Sequence, residues 1–356
     1  MDFLVSRNDL HECRIDDGAD VPNLEAGQAL LRVDTFGLTA NNVTYGVFGD
    51  AMSYWDFFPA EAGWGRIPVW GFGDVVSSTS DDVSEGMRVF GYFPMSRHLV
   101  VSPDRVDERG FVDAAPHRSH LPPTYNAYRS VGGDPIYDER YEDQQMLLWP
   151  LFFTSFLLDD YLADNGLFGA EVVVLSSASS KTAIGTAFLA AERDGVEVVG
   201  LTSPSNVGFV EGLGCYDRVV TYDDVEALPL VAAAYVDMAG DSAVRSAIHH
   251  HYGDSLRHSS MVGATHWTET GGGEELPGPA PSLFFAPDQG RKRAAEWGQD
   301  TLDDRFGEAW RRFSDSSREW LDVAHETGPS SVERVYLEVL DGRTDPSTAH
   351  VLSMWE

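Results

Sequence analysis

Residues 172–187 read VVVLSSASSKTAIGTA. Val172 to Leu175 have the length and branching of a buried strand. Small hydroxylated residues follow, and then Ile184, Ala187, Phe188 and Ala191 recur on one helical face. A strand that turns straight into a helix presents the helix's first amides and the positive end of its dipole at the turn, where both favour phosphate. A dinucleotide turn of the G-x-G-x-x-G kind needs small residues so that amides approach the pyrophosphate, and a final glycine for close packing. The matching positions are Ser180, Thr182 and Gly185, so only the last glycine remains.

Two other readings compete. Ser180-Lys181-Thr182 imitates the end of a triphosphate-binding P-loop, and YVDMAG (235–240) imitates its acidic magnesium strand. The P-loop glycines are absent at Leu175 and Ser180, however. A serine-rich turn that holds no ligand is the third.

Outward from the turn the pattern alternates. VEVVGLTS (196–203), DRVVTYD (217–223), AAAYVDMAG (232–240) and a strand ending at Gly263 are separated by helical stretches such as NVGFVEGLG (206–214). This spacing predicts an α/β, doubly wound parallel sheet. An NAD site places an acid on the ribose about 20 residues beyond the loop. Here Leu201-Thr202-Ser203-Pro204-Ser205-Asn206 contains none. Hydroxyl and amide groups there, with charge from Lys181, suit the 2′-phosphate of NADP.

The first part of the chain is strand-rich, as in QALLRVDTFGLT (28–39) and GMRVFGYF (86–93). Residues 111–146 loosen into what reads as a long, packed excursion over the surface or near a cleft. LLWPLFFTSFLL (147–158) is the most apolar run, too short for the roughly 20 residues of a membrane span, and reads as a buried helix. Trp297, Phe306, Trp310, Phe313 and Trp320 mark the buried face of later helices. The run IHHHYG (248–253) lacks metal-ligand spacing.

With 57 acidic and 25 basic residues the net charge is −32. Such a surface repels nucleic acid and anionic membranes, and it suits a salt-rich, halophilic setting. Cys13 and Cys215 are the only cysteines, too few for a disulfide framework or a four-thiolate zinc site. The first residues lack the basic start and apolar run of a signal peptide, so a cytoplasmic location is expected.

Taken together, the order of elements resembles the medium-chain dehydrogenase/reductase superfamily, particularly its zinc-free quinone oxidoreductase and enoyl reductase branches. Residues 172–224 resemble its cofactor segment, including the ending Leu213, Gly214, Asp217, Val219 and Tyr222. Within the superfamily the chain is most similar to the DUF2855 type. VDTFGLTANNVTYG (33–46) resembles the segment with a conserved-type glycine, asparagine and aspartate, here Gly37, Thr39 and Asn42. Leu38 stands where zinc enzymes place a ligand cysteine. PVWGFGDVVSS (68–78) resembles the next segment, with Gly73 in the acidic place.

The resemblance implies a Rossmann-like domain over 147–290 and a β-rich, GroES-like, partly barrel-like catalytic domain from 1–146 with 291–356. It implies NADP(H), a small-molecule substrate, no metal, and compatibility with a homodimer. The implied activity is reduction of an activated C=C or carbonyl, such as a quinone or enone. A cofactor-binding protein without turnover is the alternative. Candidate catalytic residues are Tyr45, Tyr54 and Asn42, because a hydroxyl or amide can bond an oxygen on which charge develops. Candidate cofactor contacts are Thr154, Ser179, Ser180, Lys181, Thr182, Ala183, Ile184, Gly185, Thr202, Ser203, Asn206, Tyr222, Gly240 and Gly263.

Overall fold

The structure, a computed structural model, describes residues 1–18, 23–262 and 276–356. The chain forms two compact units, Leu148–Trp320 and Met1–Leu147 with Leu321–Glu356.

In the unit Leu148–Trp320 the strands are Val172–Leu175, Glu197–Thr202, Arg218–Thr221, Ala233–Asp237, Leu256–Val262 and Ser282–Phe284. They lie in the order third, second, first, fourth, fifth, sixth, and every pairing is parallel. The order reverses at the first strand, where Leu175 is level with Gly200 on one side and Val236 on the other. Buried on both faces, Val172–Leu175 is apolar throughout, as a central parallel strand must be. Val173, Leu175 and Val198 pack with Leu157, Leu158 and Ala187 on one face. On the other, Val172, Val174 and Leu201 pack with Ile248 and Tyr252. The doubly wound sheet expected from the alternation is therefore present. Its short sixth strand, Ser282–Phe284, was not legible in the alternation.

The apolar run at 147–158 belongs to a 23-residue helix, Glu142–Asp164. By length and composition alone that helix is long and apolar enough to cross a membrane. Its aromatic face is instead covered. Phe152 stacks on Phe313 at 4.3 Å between ring centroids, and Trp149 meets Phe306 and Trp310 edge-on. These contacts bring the helices Ala286–Trp297 and Gln299–Trp320 into the unit of the parallel sheet. The expected division at 290 is thus displaced to Trp320.

The other unit is built on a nine-stranded sheet centred on Ala29–Leu38, Pro68–Ser78 and Arg88–Pro94. The end of the chain returns to it, with Thr348–Ser353 pairing antiparallel to Ala29–Leu38. Helix Pro329–Leu340 adds Val332, Val335 and Tyr336 to the core beside Phe3 and Phe36. The stretch 111–146 is no surface excursion. Its strands Gly110–Asp113 and Ala127–Ser130 join the sheet. Arg118 is buried between them and donates to Asp113, Asn126, the Tyr128 hydroxyl and the Tyr125 carbonyl. A buried guanidinium persists only with partners of this completeness.

Candidate functional site

The turn after the first strand is held by its own polar groups. Ser176 Oγ donates to Asp237 Oδ1 at 3.2 Å and accepts from the amides of Met238 and Ala239. Asp237 is fully buried and also receives Arg245 Nη1 at 2.9 Å. Ser177 adopts a left-handed φ of 49°, a conformation that costs a non-glycine residue energy. Its amide donates to the Tyr222 hydroxyl at 2.9 Å. The Ala178 amide donates to the Leu201 carbonyl at 2.9 Å, tying the turn to the second strand.

Ser180 then caps the helix Lys181–Ala190. Its hydroxyl accepts from the Ala183 amide over a long 3.4 Å, and its carbonyl accepts from Ile184. Both amides are therefore already engaged, and the Ala183 and Ile184 side chains are buried. These two expected cofactor residues are helix wall. In the first turn the amides of Lys181 and Thr182 have no intrahelical carbonyl to meet. They lie at the positive end of the helix dipole.

Asn206 links the turn to the end of the second strand, donating from Nδ2 to Ser179 Oγ at 3.1 Å. Ser203 is half-buried, with its hydroxyl 3.1 Å from that of Ser205. Thr202 is 1% exposed, inside the sheet. Ser179, Ser180, Lys181, Thr182, Ser203 and Asn206 are thus gathered at one end of the sheet.

Others are placed differently. Gly185 is required for packing between helices rather than between helix and strand: a Cβ there would lie 2.8 Å from Ser155 Oγ and 3.0 Å from the Phe152 ring. Tyr222 is a brace of the turn. Thr154 bonds back to the Pro150 carbonyl within its own helix. Gly240 closes a turn at φ 69°, its amide donating to Asp237. Gly263 lies outside the described residues. The Ser176–Asp237–Arg245 network was missed, because nothing in the spacing of residues 176, 237 and 245 links them before the sheet is assembled.

In the first unit, Thr39 precedes helix Ala40–Val47. Asn42 Oδ1 accepts from the Thr39 amide at 2.8 Å and from its hydroxyl, and Nδ2 donates to the Pro68 carbonyl. Asn42 is buried with both ends of its amide satisfied, which makes it a cap. Tyr45, three residues on, is buried, and its hydroxyl accepts from Asn41 Nδ2 at 2.8 Å. Its ring lies 4.6 Å from that of Tyr54 and 5.6 Å from that of Tyr92. Trp70, Tyr125, Phe57 and Phe58 also pack on Tyr92. Burial, above all, pushes the Tyr45, Tyr54, Tyr92 and Tyr125 hydroxyls above the usual phenol range, so all four stay protonated. Trp70, Tyr92 and Tyr125 were not singled out from sequence. The alternation of aromatics in VWGFG and VFGYF was the available signal.

Among the described residues no group of three or more histidine, cysteine, aspartate or glutamate side chains is placed to hold a metal ion.

The reversed strand order, the strand–turn–helix and the antiparallel second unit define a Rossmann-like domain joined to a GroES-like one, the fold of medium-chain oxidoreductases. CurA from Vibrio vulnificus shares it with a TM-score of 0.61 at 12% identity, covering 99% of this chain and 96% of that one. A putative NADPH:quinone reductase from Bacillus thuringiensis has a TM-score of 0.57 at 13% identity, covering 99% and 98%. The yhdH oxidoreductase from Salmonella enterica has a TM-score of 0.52 at 15% identity, covering 99% of both. At such identities the likeness is one of fold. No curated protein matches the chain significantly. The chain belongs to the DUF2855 family, a family described as of unknown function, whose model matches residues 36–345.

Proposed function

We propose that this protein is an NADP(H)-dependent oxidoreductase that reduces an activated C=C or carbonyl compound of the quinone or enone class. One observation carries the reading. The turn 176–180 stands where the strand order reverses, the usual ligand position in an open parallel sheet. It opens into a capped helix with the Lys181 and Thr182 amides at its head. The residues present fit a dinucleotide. Ser179 and Ser180 add hydroxyls for the pyrophosphate, and Ser203 and Asn206 sit beyond the second strand with no acid to repel a 2′-phosphate. Two of the fold relatives were solved with the cofactor: CurA in complex with NADPH and yhdH in complex with NADP.

When bound, the reduced nicotinamide supplies hydride. The chain's own part is to hold the phosphates and to stabilise charge on the substrate's oxygen. Leu38 stands where zinc relatives have a ligand, so a protonated hydroxyl is the group proposed for that second task, with Tyr45 first in line and Tyr54 beside it. Saturable binding of NADPH, followed by nicotinamide fluorescence, tests the reading. A second reading, cofactor binding without turnover, is favoured by one observation: Asn42 is wholly engaged as a cap. A screen of quinones, enones and aldehydes separates the two. Turnover of any of them rejects the binding-only reading, whereas tight NADPH binding without turnover supports it.

A further inference from the structure

A file of aromatic rings runs through the first unit. Tyr54 and Tyr125 are half-buried and hydrogen-bonded to each other, with ring centroids 6.2 Å apart. Tyr125 lies 5.9 Å from Trp70. Trp70 stacks on Phe90 at 5.5 Å, Phe90 meets Phe72 at 5.2 Å, and Phe72 meets Tyr137 at 6.1 Å. Cross-strand aromatic pairs ordinarily do no more than stabilise a sheet, and Phe72 with Phe90 is such a pair. The far end of the file supplies a second observation.

Tyr137 is half-buried, and its hydroxyl donates to Glu142 Oε1 at 2.7 Å, a short bond to a charged acceptor. The inner phenols bond to neutral groups instead. Tyr45 is engaged with Asn41, Trp70 and Tyr92, and Tyr54 with Tyr125. A phenol that gives up an electron must also give up its proton, so it needs a base at its oxygen. In this file Tyr137 has one. Burial, above all, holds its hydroxyl above the usual phenol range, so it keeps its proton until it is oxidised. Charge favours the same end. Glu142 is shared with Arg88, which also bonds Asp34 and Asp74, while Arg32 bonds Asp34. Three carboxylates there meet two guanidiniums. Beside Phe57 and Phe58, by contrast, the buried Arg118 is matched by the single carboxylate of Asp113. A positive equivalent is drawn toward the excess of acid.

We propose that Tyr54, Tyr125, Trp70, Phe90, Phe72 and Tyr137 form an electron relay that draws the oxidising equivalent of a strong one-electron oxidant, such as an oxygen-centred radical, out of the ring cluster to Tyr137. The oxidant takes one electron through Tyr54 and Tyr125 from Trp70 and is reduced to its anion. The Trp70 radical cation then takes one electron from Tyr137, with Phe90 and Phe72 as the bridge. The Tyr137 proton passes to Glu142 Oε1, leaving a neutral tyrosyl radical and a carboxylic acid. A soluble one-electron reductant returns the electron to Tyr137, and Glu142 returns the proton. The relay goes beyond the NADP(H) reading and is tested without cofactor or substrate.

The test attaches a ruthenium polypyridyl photo-oxidant to the full chain beside Tyr54, through Met52→Cys. Met52 is exposed, whereas burial pushes the Cys13 and Cys215 thiols up to about 11 and about 12, so near neutral pH the label goes to the new thiol. After a flash in the presence of a sacrificial electron acceptor, electron paramagnetic resonance should show a neutral tyrosyl radical. It should form more slowly in heavy water, because a proton moves with the electron. Tyr137→Phe in the labelled chain should lose that signal and leave oxidised tryptophan in its place. Trp70→Phe keeps a ring, removes the oxidisable indole and should slow formation of the tyrosyl radical. No tyrosyl radical in the labelled parent, an undiminished signal in Tyr137→Phe, or equally fast formation in Trp70→Phe would overturn the relay. Tyr137→Phe removes only a half-buried hydroxyl, so it decides the question even where Trp70→Phe fails to fold.

Discussion

The turn at 176–180 and the aromatic cluster around Tyr92 handle polar groups in opposite ways. At the turn, Ser176, Ser177, Ala178 and Ser180 all bond within the chain, to Asp237, Tyr222, Leu201 and Ala183. The loop is built before any ligand arrives, and it leads directly into the head of the helix Lys181–Ala190. In the cluster, the Tyr45 hydroxyl accepts from Asn41 and is shared by the Trp70 and Tyr92 donors, so the polar atoms face one another inside a shell of rings. The contrast separates a turn tied to the surrounding strands from a polar cluster enclosed by aromatic rings. A turn ordered in advance avoids an ordering cost on binding.

The largest expected effect falls on the cluster. If Tyr45 has the proposed role, Tyr45→Phe should lower turnover by roughly 10²-fold while leaving NADPH affinity nearly intact, since it removes the hydroxyl and keeps the ring. Steady-state rates beside a cofactor titration would measure it. Unchanged turnover would remove Tyr45 from the chemistry and leave Tyr54 to be tested.

The cradle depends first on packing. Gly185→Val places a branched side chain where even a Cβ would meet Ser155 and Phe152. Overpacking of this kind costs about 1–3 kcal/mol, which a urea midpoint would report. A variant as stable as the parent would mean that the long helix yields easily, and the close approach would lose its importance.

Cofactor choice is the next step down. Ser203→Asp should lower the NADPH-to-NADH affinity ratio by about tenfold, close to the roughly 1 kcal/mol of one charge–charge contact in bulk water. An unaltered ratio would place the 2′-phosphate elsewhere. The smallest effect belongs to the brace. Tyr222→Phe removes the acceptor of the Ser177 amide, so NADPH should bind about fivefold more weakly, the worth of one modest hydrogen bond. Equal affinity would show that the strained Ser177 conformation holds without it.

The two regions were also unequally legible. Val172–Leu175, the serine turn and the spacing of the following strands announced the parallel sheet, because local periodicity and sheet order coincide there. The residues that could meet phosphate followed from the turn, but their division of labour did not. That Ala183 and Ile184 are wall, and that Tyr222 is a brace, depends on which amides neighbouring strands engage. The cluster was harder to read. Tyr45 and Tyr54 stood out by position along the chain, whereas Trp70 and Tyr92 become neighbours only through strand register. Residues 111–146 misled because their strands are short and are interrupted by prolines. The later helices declared their aromatic face but not which unit it would join.

The central claim is that the turn and capped helix hold a phosphorylated nicotinamide cofactor, and the direct measurement is a titration of the purified chain with NADPH in high salt, following nicotinamide fluorescence. The account predicts a saturable change with one cofactor bound per chain. No saturable change up to millimolar NADPH would contradict it.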